Sequence, residues 1–370
     1  MIPVFDFELS GNEKKYVNEC IDENQIGSFG KYIDLFEEKF SLLVNRKYSS
    51  FCSSGTAAIE LVAESLDFKK GDEIIFPAFT IISCVYPFVK KGVKPVIIDC
   101  EKGTYNICVD SLEDLINKNT KAIFIAHIYG LTCKVDEIER IAKKHGIIII
   151  EDAAEVIGQT YKNKACGSFG KVSVFSFYSN KHITCGEGGM VSTNDSKLYR
   201  KINYYKNLCF GKNRFVHKHF GYNYRATNIQ AAIGLAQLEE IQSTIIKKKL
   251  IGLNYQKLLK NLSSYIDLPI EKTDYCENIY WVFPILLKNS NRKKTREIRN
   301  NLLKEFDIDT RPLFYPMNKQ PVFQELGFFK NIKMPVAESL YNNGFYIPAG
   351  TNITIDQQKF VADSLLKLIK

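Results

Sequence analysis

In "VFSFYSNKHITCGEGGM", residues 174–190, a lysine stands between an apolar run and a glycine cluster. Lysine is seldom taken out of water unless its charge is compensated or its amine is used. "VFSF" reads as a strand entering a core, and "GEGGM" lets backbone pass close by. An amine desolvated at that junction, Lys181, holds its proton less tightly and can attack a carbonyl. The same lysine could equally be a solvated charge at a strand end, and these residues alone leave both readings open. A second candidate is Asp152, at the end of the β-branched run in "IIIIEDAAE". Its carboxylate either caps the next turn or faces a cationic partner beyond the strand. A third is "CSSGTAAIELV", where Ser54, Gly55 and Thr56 precede a helical pattern. Free amides at a helix N-terminus bind phosphate, and hydroxyls add donors, although an ordinary N-cap uses the same residues. Ser176, five residues before Lys181, offers one more hydroxyl. An amine, a carboxylate and a phosphate cradle are together what pyridoxal 5'-phosphate requires: an imine partner, an anion for the ring nitrogen, and an anchor.

Such a set needs a scaffold that brings strand ends together. Short β-branched runs alternate with amphipathic segments through the middle of the chain. "DEIIFPA" (72–78), "PVIIDC" (95–100), "KAIFIAHIYG" (121–130) and "IIIIEDAAE" (147–155) read as strands. "AAIELVAESL" (57–66), "VDSLEDLI" (109–116) and "KVDEIERIAKKHG", closed by Gly146, read as helices. Continuous apolar strands separated by helices predict a parallel sheet covered on both faces, with ligands beyond the strands' carboxyl ends. From about residue 235 the pattern changes to a long amphipathic helix or helix pair. A strand in "IYWVFPILL" follows, then helices in "TREIRNNLLKEF" and "DQQKFVADSLLKLI". These predict a division into residues 1–245, carrying the cofactor, and a smaller α+β unit, 246–370.

The 370 residues are 45% hydrophobic and 25% charged, the balance of a globular protein. A surplus of 50 Lys+Arg over 41 Asp+Glu gives a net charge of +9. The basic clusters, "KKK" at 247–249 and "NRKKTREIR" at 291–299, lie in helical contexts and read as solvated helix faces. No nucleic-acid-binding motif accompanies them. Ten cysteines show no C-x-x-C pair and no zinc-like spacing. They predict reduced thiols and no metal site. No signal peptide and no apolar run of ~18 residues is evident, so the expectation is a cytoplasmic protein without a membrane span.

Over nearly its whole length the chain resembles the sugar-nucleotide aminotransferases of the DegT/DnrJ/EryC1/StrS family. The segments that carry the resemblance are "SSGTAAIEL", "FPAFTIIS", "AHIYG", "IEDAAEVIGQTYKNK", "GSFGKVSVFSFYSNKHITCGEGGMVSTND" and "GYNYRATNIQAAIGLAQLE". The resemblance implies an α/β, fold-type I pyridoxal phosphate enzyme. It would have a large α/β/α domain around a mixed, mostly parallel sheet, plus a smaller C-terminal α+β domain. It further implies amination of C4 of a nucleotide-linked 4-keto-6-deoxyhexose with glutamate as donor. "EDAAEVIGQTYK" and "SNKHITCGEGGMV" are most similar to the branch acting on GDP-4-keto-6-deoxy-D-mannose, and a UDP- or dTDP-4-keto-6-deoxyglucose is the alternative.

Residue by residue, the resemblance implies that Lys181 carries the cofactor and moves a proton. Asp152 would pair with the ring nitrogen, and Glu155 would stand near the ring oxygen. Ser54, Gly55, Thr56 and Ser176 would hold the phosphate. Ile81 falls where many relatives place an aromatic ring against the cofactor. Asn228, in "RATN", would reach the phosphate of a neighbouring subunit, so that a homodimer shares its active sites. Ser28 and Phe29 of the "GSFG" loop, Tyr129, Glu187, Arg311 and Tyr315 would face the substrate. Asn318 falls where many relatives have His. A relative that removes a hydroxyl instead of transaminating has His in place of the lysine, whereas the order here is Asn180-Lys181-His182. A non-catalytic relative is the rival reading, and the intact Lys181/Asp152 pair argues against it.

Overall fold

The computed structural model describes residues 1–213 and 215–369. Seven strands form the main sheet: β1 Tyr48–Cys52, β2 Glu73–Pro77, β3 Lys94–Ile98, β4 Thr120–Ala126, β5 Ile148–Asp152, β6 Val172–Ser176 and β7 Gly189–Thr193. Their order across the sheet is β1-β7-β6-β5-β4-β2-β3. The five from β6 to β3 pair in parallel, and β7 runs antiparallel to both of its neighbours. The sheet is therefore mixed and mostly parallel, as expected.

Successive residues face opposite sides. Ile74, Phe76, Phe124 and Ile150 pack with the helix Gly55–Ser65, while Ile75, Ile123, Ile125 and Ile149 pack with the helix Val135–His145. That helix ends on Gly146 at φ 64°, the left-handed stop its sequence predicted. Both faces are covered, which is why these strands read as unbroken apolar runs.

A second, antiparallel sheet is ordered Ile266–Asp267, Phe283–Leu287, Gly344–Ile347, Arg311–Pro312. Ile251, Tyr255, Ile298, Leu302, Val361 and Leu365 cover it from three helices. The chain's own N-terminus joins this unit. Ile2 N donates to Asp307 O at 2.8 Å, and Ala349 N donates to Val4 O at 3.2 Å. The expected boundary at 245/246 falls inside the helix Ile241–Leu258. Leu313, Met317, Phe323 and Leu340 pack into the core of the large sheet.

Three local expectations need correction. Residues 109–116 form two short 3₁₀ turns, Val109–Ser111 and Glu113–Leu115, instead of a helix. Val109, Leu112 and Leu115 recur every three residues, the period of a 3₁₀ turn. The strand expected over 279–287 begins only at Phe283, and Trp281 lies in the irregular segment before it. Finally, Lys248 of the "KKK" run is buried, its ammonium donating to Trp281 O at 3.1 Å and to Ala349 O. Lys247 and Lys249 take the outer positions and pair with Glu8 and Glu277.

Candidate active site

A cavity of about 440 Å³ opens at the carboxyl ends of the central strands. Lys181 enters it from the turn after β6, where its backbone N donates to Tyr178 O at 2.9 Å. The Lys181 ammonium lies 3.7 Å from the centroid of the Trp281 ring and 4.0 Å from Glu155 Oε1. Burial pushes Lys181 below the usual lysine range, against the pull of the Glu155 and Asp152 carboxylates. Burial also pushes Glu155 up, and the Lys181 charge opposes that shift. Burial thus works against the charge of both groups, and each charge supports the other.

Asp152 ends β5 with its carboxylate in the cleft. Oδ1 accepts from Ala154 N at 3.0 Å and Oδ2 from the Cys84 thiol at 3.2 Å. Burial raises its carboxyl above the ordinary range, and these two donors counter the shift. Its neighbour Glu151 is buried too and accepts from Gly167 N and Phe169 N at 2.6 and 2.9 Å. Strand alternation separates the two acids: one serves the cleft, the other ties down the 167–169 turn.

The helix Gly55–Ser65 points its N-terminus into the same space. Ser54 Oγ accepts from Ala57 N, and Ser54 O from Ala58 N, both at 3.0 Å. The first-turn amides of Gly55 and Thr56 have no partner inside the helix. A Cβ on Gly55 would sit 2.7 Å from the Ser176 Cβ, so the helix reaches β6 only because residue 55 is glycine. Ser54, Gly55, Thr56 and Ser176 therefore line one end of the cleft. Ile81, half exposed, and Glu187 line it as well.

Tyr129 lies one layer below. At φ 55° it donates its backbone N to Glu155 Oε2 at 2.9 Å and packs against Phe314 and Trp281. Four expected substrate residues are not brought to the cleft within this chain. Ser28 and Phe29 are exposed on their loop. Arg311 pairs with Asp309 at 2.9 Å, and Tyr315 sets its ring against Tyr341. Asn228 does not line the cleft of its own chain either. Thr227 caps the helix Asn228–Glu239, and Asn228 is fully buried. Its Oδ1 accepts from Tyr32 N at 3.0 Å, and its Nδ2 donates to Gln25 O at 2.8 Å and to Cys20 Sγ. Its side chain is thus committed to residues 20–32 of its own subunit. Asn318 is likewise occupied, donating to Ile332 O and Glu338 Oε1.

Sequence reasoning missed Trp281, Cys84, Phe314 and Tyr346. Trp281 carried a faint signal as the chain's single tryptophan, in an apolar run. Its Nε1 donates to Asn180 O at 2.8 Å, which fixes the ring over the amine.

The residues present fit pyridoxal 5'-phosphate. A desolvated amine suits its aldehyde, a buried carboxylate suits its ring nitrogen, and open helix amides with three hydroxyls suit its phosphate. Comparison with known proteins agrees. The sequence matches the DegT/DnrJ/EryC1/StrS aminotransferase family over residues 8–366. It is 39% identical to GDP-perosamine synthase of Escherichia coli O157:H7, covering 98% of this chain and 97% of that protein. To GDP-perosamine synthase of Vibrio cholerae it is 36% identical, covering 99% and 98%. The fold superposes on Helicobacter pylori PseC, an aminotransferase involved in the biosynthesis of pseudoaminic acid, with a TM-score of 0.92 at 27% identity over 99% and 98% of the chains. The chain belongs to the DegT/DnrJ/EryC1/StrS aminotransferase family and is a pyridoxal 5'-phosphate-dependent sugar aminotransferase.

Proposed function

We propose that this enzyme transfers the amino group of glutamate to C4 of GDP-4-keto-6-deoxy-D-mannose, giving GDP-perosamine, and that it works as a cytoplasmic homodimer. The observation that carries the substrate is the 39% and 36% identity, over nearly whole chains, to two proteins named for that product. When bound, the cofactor supplies an aldehyde for amines and a protonated ring that accepts the electrons of a broken C–H bond. Asp152 keeps a proton on the ring nitrogen, held in register by the Cys84 thiol and the Ala154 amide. Ser54, Gly55, Thr56 and Ser176 anchor the phosphate. Lys181, its proton affinity lowered by burial, takes a proton from carbon and returns it on the other side of the reaction. Glu155 stores the complementary charge 4.0 Å away. The absence of a long apolar helix among the described residues is in keeping with a protein that meets its nucleotide-linked substrate in water.

The test is a coupled assay of the purified protein with glutamate and, separately, GDP-, UDP- and dTDP-linked 4-keto-6-deoxyhexoses, with Lys181→Ala as blank. Turnover of the GDP sugar at least tenfold above the others is expected. Preference for a UDP or dTDP sugar would replace the substrate assigned here and leave the aminotransferase chemistry intact.

A further inference from the structure

A second cavity, of about 230 Å³, meets the cofactor cleft at Asn180, Lys181, Trp281 and Tyr346. Its other walls come from elsewhere in the fold, the N-terminal segment Val4–Glu8 and the helix Ile241–Leu258. Its lining is unusual in one respect. Asn180 Oδ1, His182 Nδ1 and Thr351 Oγ1 are all buried without a hydrogen-bond partner, and all three residues line this one space. Lys248 lines it too, fully buried, with two of its three N–H groups directed at the carbonyls of Trp281 and Ala349. Burial holds Lys248 down to about 7 and His182 to about 3, so the imidazole is neutral. His182 Nε2 lies 3.4 Å from Ile279 O and donates to it, which leaves Nδ1 as an acceptor. Two acceptors, one hydroxyl and a spare ammonium N–H in a polar space this large are the partners that buried water takes, at about 30 Å³ per molecule.

We propose that this chamber is a water store for transamination, exchanging water with the reacting centre past Lys181 while donor or sugar nucleotide fills the cleft in front. The chemistry requires such exchange in each half-reaction. In the first, the donor's C–N bond gives way to a C=O bond whose oxygen comes from one water. With cofactor bound, the donor carbon would be oxidised by two electrons, the cofactor would take up those electrons and the nitrogen, and Lys181 would be released as a free amine. In the second half the reverse holds: the sugar's carbonyl oxygen departs as water, its carbon gains the C–N bond, and Lys181 re-attaches. A cleft closed by substrate excludes bulk water from the front, and Asn180, Lys181, Trp281 and Tyr346 are the residues common to both spaces. The inference rests on the family's transamination chemistry and not on which nucleotide sugar is used.

The experiment has a structural arm and a kinetic arm, both on the holoenzyme. A high-resolution crystal structure is expected to show ordered water on His182 Nδ1, Asn180 Oδ1 and Thr351 Oγ1. A chamber without water there, or one holding glutamate or the sugar nucleotide, overturns the proposal. In the kinetic arm, Thr244→Phe fills the chamber from the helix Ile241–Leu258. Cofactor affinity, read from absorbance, is expected to stay within about twofold, while stopped-flow release of the oxo acid from glutamate slows tenfold or more. An unchanged release rate in a variant whose structure shows the chamber filled overturns the proposal. If Thr244→Phe does not fold, Thr351→Val removes one water partner at nearly constant volume. It is expected to lose the water at residue 351 and to slow release severalfold, and loss of that water with no change in rate overturns the proposal.

Discussion

At the scale of single residues, the site is an exercise in setting proton affinities by burial. Lys181 and Glu155 are drawn toward neutrality by desolvation and toward charge by each other. Trp281 adds a third influence, because a ring face 3.7 Å from the ammonium favours the charged amine. Trp281→Leu removes that attraction and lowers the proton affinity of Lys181. At about 0.5–2 kcal/mol for such a contact, the shift is roughly 0.4–1.5 pH units downward. Titration of Lys181 in the cofactor-free protein checks it, with Trp281→Phe expected to shift less; an upward or absent shift would remove the ring from the account. Asp152→Asn is nearly isosteric, keeps the Ala154 contact and loses the anion that holds the ring nitrogen protonated. It is expected to bind cofactor and to lose most of its rate. A rate within about twofold of wild type, under ~0.5 kcal/mol of transition-state stabilisation, would reject that role.

At the scale of elements, two helix starts show how short motifs acquire tertiary meaning. Asn228, first residue of its helix, clamps the loop that precedes the helix Lys31–Leu43, and Gly30 at φ 138° lies directly against the Asn228 amide. Asn228→Ala is expected to cost about 1–3 kcal/mol, the range for a buried hydrogen-bonding set with an unmatched partner. It should speed hydrogen exchange at Tyr32 and leave cofactor affinity within about twofold. Cofactor loosened far beyond the loss in melting temperature would instead favour a contact across subunits. Asp195 caps the helix Ser196–Lys206 through Lys197 N and Leu198 N, and pairs with Lys171 at 2.6 Å. The Lys171 ammonium and these amides hold its carboxyl at about 2, below its value in the unfolded chain. A depressed carboxyl stabilises above the unfolded pKa, and the contribution fades as pH falls from about 4 toward 2. Asp195→Asn keeps the cap and loses the charge, so its melting temperature should lie below wild type at pH 6 and converge with it as pH falls toward 2. A gap independent of pH would refute the assignment.

At the scale of the molecule, the excursion between the helix Ser196–Lys206 and the helix Asn228–Glu239 carries apolar side chains outward. Phe220 is 100% exposed and Val216 60%, while Ile26 and Phe29 are exposed on the loop that Asn228 clamps. Exposed apolar groups are what the proposed homodimer would bury, and Phe220 is the most exposed of them. Phe220→Asp is expected to weaken the dimer at least tenfold in sedimentation velocity without lowering the monomer's helix content. An unaltered dimer would move the interface elsewhere.

Lys181, Asp152 and the Ser54-Gly55-Thr56 trio could be singled out as candidates in the chain itself, and the parallel sheet was legible there. The reason is that each depends on local order: a β-branched run delivers its last residue beyond the strand, and a polar trio before an apolar helix leaves amides open. That Asp152 and not its neighbour Glu151 serves the cleft was decided only by the packed sheet, in which the two acids face opposite sides. The partners of these residues were not legible. Trp281 reaches Lys181 across 100 residues, Lys248 turns inward while its neighbours turn out, and Asn228 spends its amide on residues some 200 positions earlier. Ser28, Phe29, Arg311 and Tyr315 resemble the right residues yet lie outside the cleft of this chain. Contacts at such separations are decided by helix rotation and loop closure, which the whole core sets at once. A local pattern encodes which face a residue shares with its neighbours, and the tertiary structure alone decides what that face meets.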